Sequence, residues 1–159
     1  MSTSRRARAR VRVALPTELE QRWQALRQLQ GRVDEAAERV LQSAHGISVS
    51  EYMALAALAY CDDDGHLRQQ ELADAIPLNH SSVSRLVARL EQSGLTERYL
   101  CQTDRRGVYT QVTQQGRALV ESARQTYLKT LQDVLDEARR DPALSPHIAH
   151  LNSLDIPCA

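Results

Sequence analysis

The chain has 159 residues, 42% hydrophobic and 25% charged, and its 20 basic and 20 acidic side chains cancel to a formal net charge of zero. That length suits a single domain with a sizeable core, and the charge balance excludes a simple polycation. No apolar run approaches the ~20 residues of a membrane span, so no membrane partner is expected.

Five Tyr, one Trp and no Phe leave Leu, Val and Ala to build the core, as suits packed helices. The three cysteines, Cys61, Cys101 and Cys158, are odd in number and lack CxxC spacing. That pattern fits a reducing cytoplasm, the expected location. Ser4-Arg5-Arg6 precedes more arginine and no apolar stretch, which argues against an export signal.

In chain order, residues 1–14 read as a basic arm, with Arg5, Arg6, Arg8, Arg10 and Arg12 and no acid among them. The arm is either a solvated tail or a contact to phosphate. Residues 15–48 read as one long helix. Thr17 and Glu20 make a capping box at its start, and a stripe from Leu19, Trp23 and Leu26 to Leu41 and Ala44 runs to about His45. Gly31 lies inside and marks a possible bend. A helix near thirty residues is too long for the interior of so small a domain, so it is expected to reach a partner subunit.

Ser48 and Glu51 open a second helix over Val49–Cys61, apolar on most faces and therefore central. Asp62-Asp63-Asp64 lacks the alternating acids and distant Glu of a calcium loop, so a solvated loop is expected there. Gln69–Ile76 then reads as a short helix broken by Pro77-Leu78. From Ser81 to Leu90, Val83, Leu86, Val87 and Leu90 fall at i, i+3, i+4 and i+7, one stripe of an amphipathic helix. Its other face carries Ser81, Ser82, Ser84, Arg85, Ala88 and Arg89. Asn79 is a good N-cap, and Gly94 sits where a C′ glycine ends a helix. Thr96–Cys101 and Val108–Thr113 read as strands of a hairpin whose turn holds Asp104, Arg105, Arg106 and Gly107. Each piece alone has a bland reading as core, cap or solvated turn. The order of helix, break, polar-faced helix and basic hairpin describes a winged helix-turn-helix, a DNA-reading unit at residues 49–113.

Residues 114–159 supply a second long helix, about Gln114 to Arg139, capped by Thr113. A short final helix starts at Ser145-Pro146, with Ser145 as its N-cap and Pro146 at its first position. His147 and His150 lie one turn apart without a nearby third ligand, so polar surface or a dimer contact is expected rather than a metal site. The fold class is therefore mainly α with a small β-hairpin wing, and long terminal helices forming a dimerisation region. Glycine-rich phosphate loops, nucleophile elbows and HExxH are all missing from the sequence, so no enzyme activity, cofactor or metal is expected.

The run ELADAI, then NHSSVSRLVARLEQSGLTER, then DRRGVYTQVTQQG, resembles the MarR family of bacterial transcription regulators; more weakly, the likeness extends from about Leu15 to Leu154. By that resemblance Arg106 enters the minor groove, Asp104 braces it, and Ser81, Ser82, Ser84 and Arg85 face the major groove; Arg89 on the same helix face and Arg105 at the hairpin tip are further candidate DNA contacts by their charge. The resemblance also implies a homodimer on double-stranded palindromic DNA, most often a repressor. A small-molecule effector, commonly a phenolic or aromatic acid, is expected between the dimer helices and the reader. Trp23, His45 and Tyr52 are the candidate ligand contacts, although Trp23 and Tyr52 also read as plain core. A thiol- or metal-responsive regulator on the same fold and a protein-docking winged helix are the alternatives. No Cys precedes Cys61, where peroxide-responsive members of the family carry theirs. Arg68 departs from the family, which has Thr or Ser capping that helix.

Overall fold

The structure, a computed structural model, describes residue 15 and residues 17–61, 65–100 and 108–153. In order these form α1 (Glu18–His45), α2 (Val49–Ala59), β1 (His66–Arg68), α3 (Gln69–Ala75), α4 (His80–Gln92), β2 (Thr96–Leu100), β3 (Val108–Val112), α5 (Gln114–Ala138) and α6 (Ser145–Ser153). The basic arm (1–14), the acidic run (62–64) and the hairpin turn with Asp104, Arg105 and Arg106 lie outside the described residues.

Local chemistry sets the helix ends. Both expected capping boxes form: Glu20 accepts from the Thr17 amide at 3.0 Å and Glu51 from the Ser48 amide at 2.8 Å, satisfying N–H groups that a helix start leaves open. Gly46, at φ 70°, closes α1. The helix is continuous through Gly31, where an added Cβ meets nothing within 4 Å.

The core divides into two clusters bridged by α5. The larger gathers Leu41, Leu55, Leu58, Leu72, Val83, Leu86, Leu90, Val120 and Ala123 around α2, as its nearly all-apolar sequence implied. The smaller packs Ala25 and Leu29 of α1 on Ala138, Leu144 and Ile148. Beyond it Leu19, Trp23, Leu26, Leu128 and Leu151 are exposed, so the front of the expected α1 stripe has no cover among the described residues.

Three details differ from expectation. The second helix ends at Ala59, with Tyr60 as its cap, rather than at Cys61. The wing is a three-stranded antiparallel sheet ordered β1-β3-β2, because His66–Arg68 pairs with Tyr109–Gln111; a three-residue strand shows no periodicity to read. Ser145 is the first residue of α6, and Asp141 organises the preceding turn by accepting from the Ala143 amide.

The joint between α4, the sheet and α5 is tight. Gly94 (φ 71°) follows α4, with bonds from Leu95 N–H to the Leu90 carbonyl and from Gly94 N–H to the Glu91 carbonyl, the paired geometry of a Schellman ending. Thr113 then donates its hydroxyl to the Gly94 carbonyl at 2.7 Å and its amide to the Leu95 carbonyl at 3.1 Å. The same Thr113 hydroxyl caps α5 by accepting from the Gly116 amide.

Candidate nucleic-acid interface

Val83, Leu86 and Leu90 anchor α4 in the core, which fixes its other face outward. Ser81, Ser84, Arg85, Ala88 and Arg89 are exposed and Ser82 is half-buried. Ser82, Arg85, Ala88 and Arg89 line an open concavity of about 430 Å³. Asn79 caps the helix: its Oδ1 accepts from the Ser82 amide at 2.9 Å and from the Ser81 hydroxyl at 2.8 Å. No acidic residue lies in the first turn. The free N–H groups and dipole of the helix start therefore add to two outward guanidiniums, a surface that attracts phosphate.

The arginines differ in their tethers. Arg89 lies 3.9 Å from Glu51, a loose exposed pair of small worth. Arg85 has no hydrogen bond or ion pair among the described residues, so it can turn to a ligand without breaking one. Ser84 donates to the His80 carbonyl at 3.1 Å and accepts from Gln69 of α3. Gln69 carries no motif that marks it, because its role comes from the crossing of two helices.

The structure does not unite the three candidate ligand contacts. Trp23 is 60% exposed near the start of α1, 22 residues and about 33 Å along the helix from His45. His45 and Tyr52 instead meet neighbouring residues of α5. His45 Nε2 lies 2.8 Å from the Thr126 hydroxyl, and the Tyr52 ring packs on Tyr127 with centroids 4.8 Å apart. Sequence reasoning missed the rest of this α2–α5 seam. Tyr60 donates to Glu121 at 2.7 Å, and the Arg124 guanidinium lies 5.7 Å over the Tyr60 ring. Glu121, Arg124 and Tyr127 recur at i, i+3 and i+6, a spacing that signals a shared face but not what it faces. Burial pushes the Tyr52 phenol above its ordinary range, helped by neighbouring Tyr127 and opposed by Arg124. Tyr127 is likewise raised by burial.

Cys61 is a free thiol, half-buried, donating to the Leu58 carbonyl at 3.2 Å; Cys101 and Cys158 lie outside the described residues. Among the described residues no three His, Cys, Asp or Glu side chains group as a metal site, and no helix is long and apolar enough to cross a membrane.

A recognition-type helix behind a short partner helix, flanked by a three-stranded sheet, defines a winged helix-turn-helix protein. Residues 45–107 match the MarR family model. It is similar to the HTH-type transcriptional regulator PecS of Dickeya dadantii, 28% identical over 103 residues, which is 65% of this chain and 61% of PecS. The matched stretch thus spans less than two thirds of that relative's length. Among solved structures, the MarR family regulator Sco3205 of Streptomyces coelicolor in complex with DNA superposes with a TM-score of 0.71 at 23% identity, covering 89% of this chain and 87% of that one. MarR of E. coli gives 0.68 at 20% identity, covering 83% of this chain and 96% of its own. BpsR of Bordetella bronchiseptica, whose DNA binding is regulated by 6-hydroxynicotinic acid, gives 0.64 at 22% identity, covering 82% and 94%.

Proposed function

We propose that this protein is a sequence-specific, DNA-binding transcription regulator, a repressor acting as a homodimer on a palindromic operator. The observation that carries the reading is the outward face of α4, where hydroxyls and two arginines, with no acid among them, surround a capped helix start. Arg85 and Arg89 are suited to guanine edges or phosphates, and Ser81, Ser82 and Ser84 to close backbone approach. Asp104, Arg105 and Arg106, in the loop joining β2 to β3, supply the second contact by the family resemblance. The uncovered Leu19, Trp23, Leu26, Leu128 and Leu151 favour a second copy packing at that end. Two-fold symmetry then sets half-sites about one turn, ~34 Å, apart.

The effector in this reading is a small aromatic acid bound at the α2–α5 seam. Tyr52, Tyr127 and His45 offer aromatic and hydrogen-bonding surface there, and Arg124 offers a cation. BpsR's response to a hydroxylated aromatic acid supports the class. A ligand wedged at the seam shifts α5 relative to α2 and so changes the separation of two readers.

Selection of bound duplexes from a random pool at two salt concentrations tests the core of this. The expected result is an enriched palindrome whose affinity falls steeply with salt. No enrichment at either concentration sinks the regulator reading and leaves a protein-docking winged helix.

A further inference from the structure

We infer that Arg68 is a positioning residue for DNA binding, which sets the angle between the wing sheet and the recognition helix α4. The inference rests on the DNA-binding reading above and adds a residue to it.

Arg68 stands at the last position of β1 and the cap position of α3. It does not cap that helix with its side chain, because a guanidinium has no acceptor. Glu71 alone holds the helix start, accepting from the Arg68 amide at 2.7 Å. The arginine side chain runs the other way, onto the central strand of the sheet. Its Nε donates to the Tyr109 hydroxyl at 3.0 Å, and its guanidinium carbon lies 5.4 Å from that ring's centroid. Register pairing puts Arg68 directly opposite Tyr109, and His66 meets the same ring edge-on at 5.5 Å.

The next residue, Gln69, donates to the Ser84 hydroxyl on the outer face of α4. Two consecutive residues therefore hold the two surfaces that the DNA reading requires, one on β3 and one on α4. A three-residue strand supplies few ladder bonds to fix the sheet by itself. A planar guanidinium that combines a directed hydrogen bond with a ring contact restrains angle as well as distance. A Thr or Ser at this position would cap α3 more fully and could not reach across to Tyr109. Arg68 thus trades half a helix cap for a brace between the two reading elements.

The test uses the full chain with Arg68→Met, Tyr109→Phe and the double variant, all retaining the stem or the ring. On the selected duplex Arg68→Met should weaken binding about three- to tenfold, Tyr109→Phe by part of that because the ring contact survives, and the double variant no further than Arg68→Met, since that change already removes both contacts. The slope of affinity against salt should stay as in the wild type. Backbone footprints should lose protection at the flanks and keep it in the central major groove. In the free protein, the Arg68 Hε resonance should move in Tyr109→Phe, which removes the hydroxyl it donates to. A salt slope lowered by about one in Arg68→Met beside wild-type binding by Tyr109→Phe overturns the inference, because Arg68 is then a direct phosphate contact. Variants with lower melting points but wild-type affinity overturn it too. A wild-type protein that selects no duplex sinks the DNA reading itself, which is distinguishable from wild-type binding with indifferent variants.

Discussion

Two glycines in long helices make opposite demands, and one substitution applied to both tests the account of the α4–α5 joint. A Cβ built on Gly116 lies 2.2 Å from the Leu95 carbonyl oxygen and 2.8 Å from Val112 Cγ2. The first is backbone and cannot rotate away. Relief needs about 1 Å of movement between the start of α5 and the turn after α4, through a carbonyl that also accepts from the Thr113 amide. Overpacking of this kind costs about 1–3 kcal/mol, and a lost or stretched hydrogen bond about 1 more. Against that, Ala gains up to about 1 kcal/mol of helix propensity over Gly. The net expectation for Gly116→Ala is a loss of about 1–3 kcal/mol, which at this chain length lowers Tm by about 2–12 °C. At Gly31 the added methyl meets nothing within 4 Å inside α1, so Gly31→Ala keeps only the propensity term and should raise Tm by about 2–4 °C.

Calorimetry on both variants at equal protein concentration is the assay. A Gly116→Ala midpoint within about 1 °C of wild type refutes the tight joint, because that little change leaves no room for the strain term. A lowered Gly31→Ala midpoint refutes open space at that position and points to a neighbour outside the protomer.

Other consequences can be checked separately. Asn79→Ala removes the acceptor of two hydrogen bonds at the start of α4 and should cost about 1 kcal/mol in urea unfolding. Arg85→Ala should weaken binding to the selected duplex by about 1–3 kcal/mol, read by titration at fixed salt, with the melting point unchanged. Asp141→Ala should cost about 1–3 kcal/mol, since Arg32, 3.1 Å away with its Nε already buried and unpartnered, loses its counter-ion at a partly buried site. Burial raises the Tyr52 phenol pKa, so its folded form holds the proton more tightly than the unfolded chain does. That contribution is fully present below pH ~10 and is lost as pH rises above it. Tyr52→Phe should therefore flatten the alkaline decline in stability measured by denaturant titration, and an unchanged slope counts against burial of that hydroxyl.

What the sequence revealed followed from how local each signal was. The caps at Thr17, Ser48, Asn79 and Thr113 were legible because a side chain and an amide three residues away decide them. The stripe of Val83, Leu86 and Leu90 was legible because burial repeats with the helix turn. The strand at His66–Arg68 was not, since its only support is pairing with Tyr109–Gln111, more than forty residues distant. For the same reason Arg68 showed only as a departure from a capping pattern, its partner Tyr109 lying on another element. Scarcity of residue type is all that links Trp23 to His45 and Tyr52 in the sequence. Helix geometry places it at the far end, since 1.5 Å per residue accumulates over 22 residues.

The two-cluster core explains how one long helix can serve both ends of the molecule. Helix α5 holds Val120 and Ala123 in the cluster under the reader, and Ala138 in the cluster with Ala25, Leu29 and Ile148. It is continuous, so a tilt of about 5° around its distal end moves Gly116 by about 3 Å. The Gly116–Leu95 contact has no slack to absorb such a shift, and Thr113 is bonded to the Gly94 and Leu95 carbonyls in the turn after α4. A packing change at the distal end or along the Tyr52–Tyr127 seam is therefore passed to α4 as a displacement instead of being lost in a loop. In the regulator proposed above, the same rigidity that makes Gly116→Ala costly would couple a distal contact to α4.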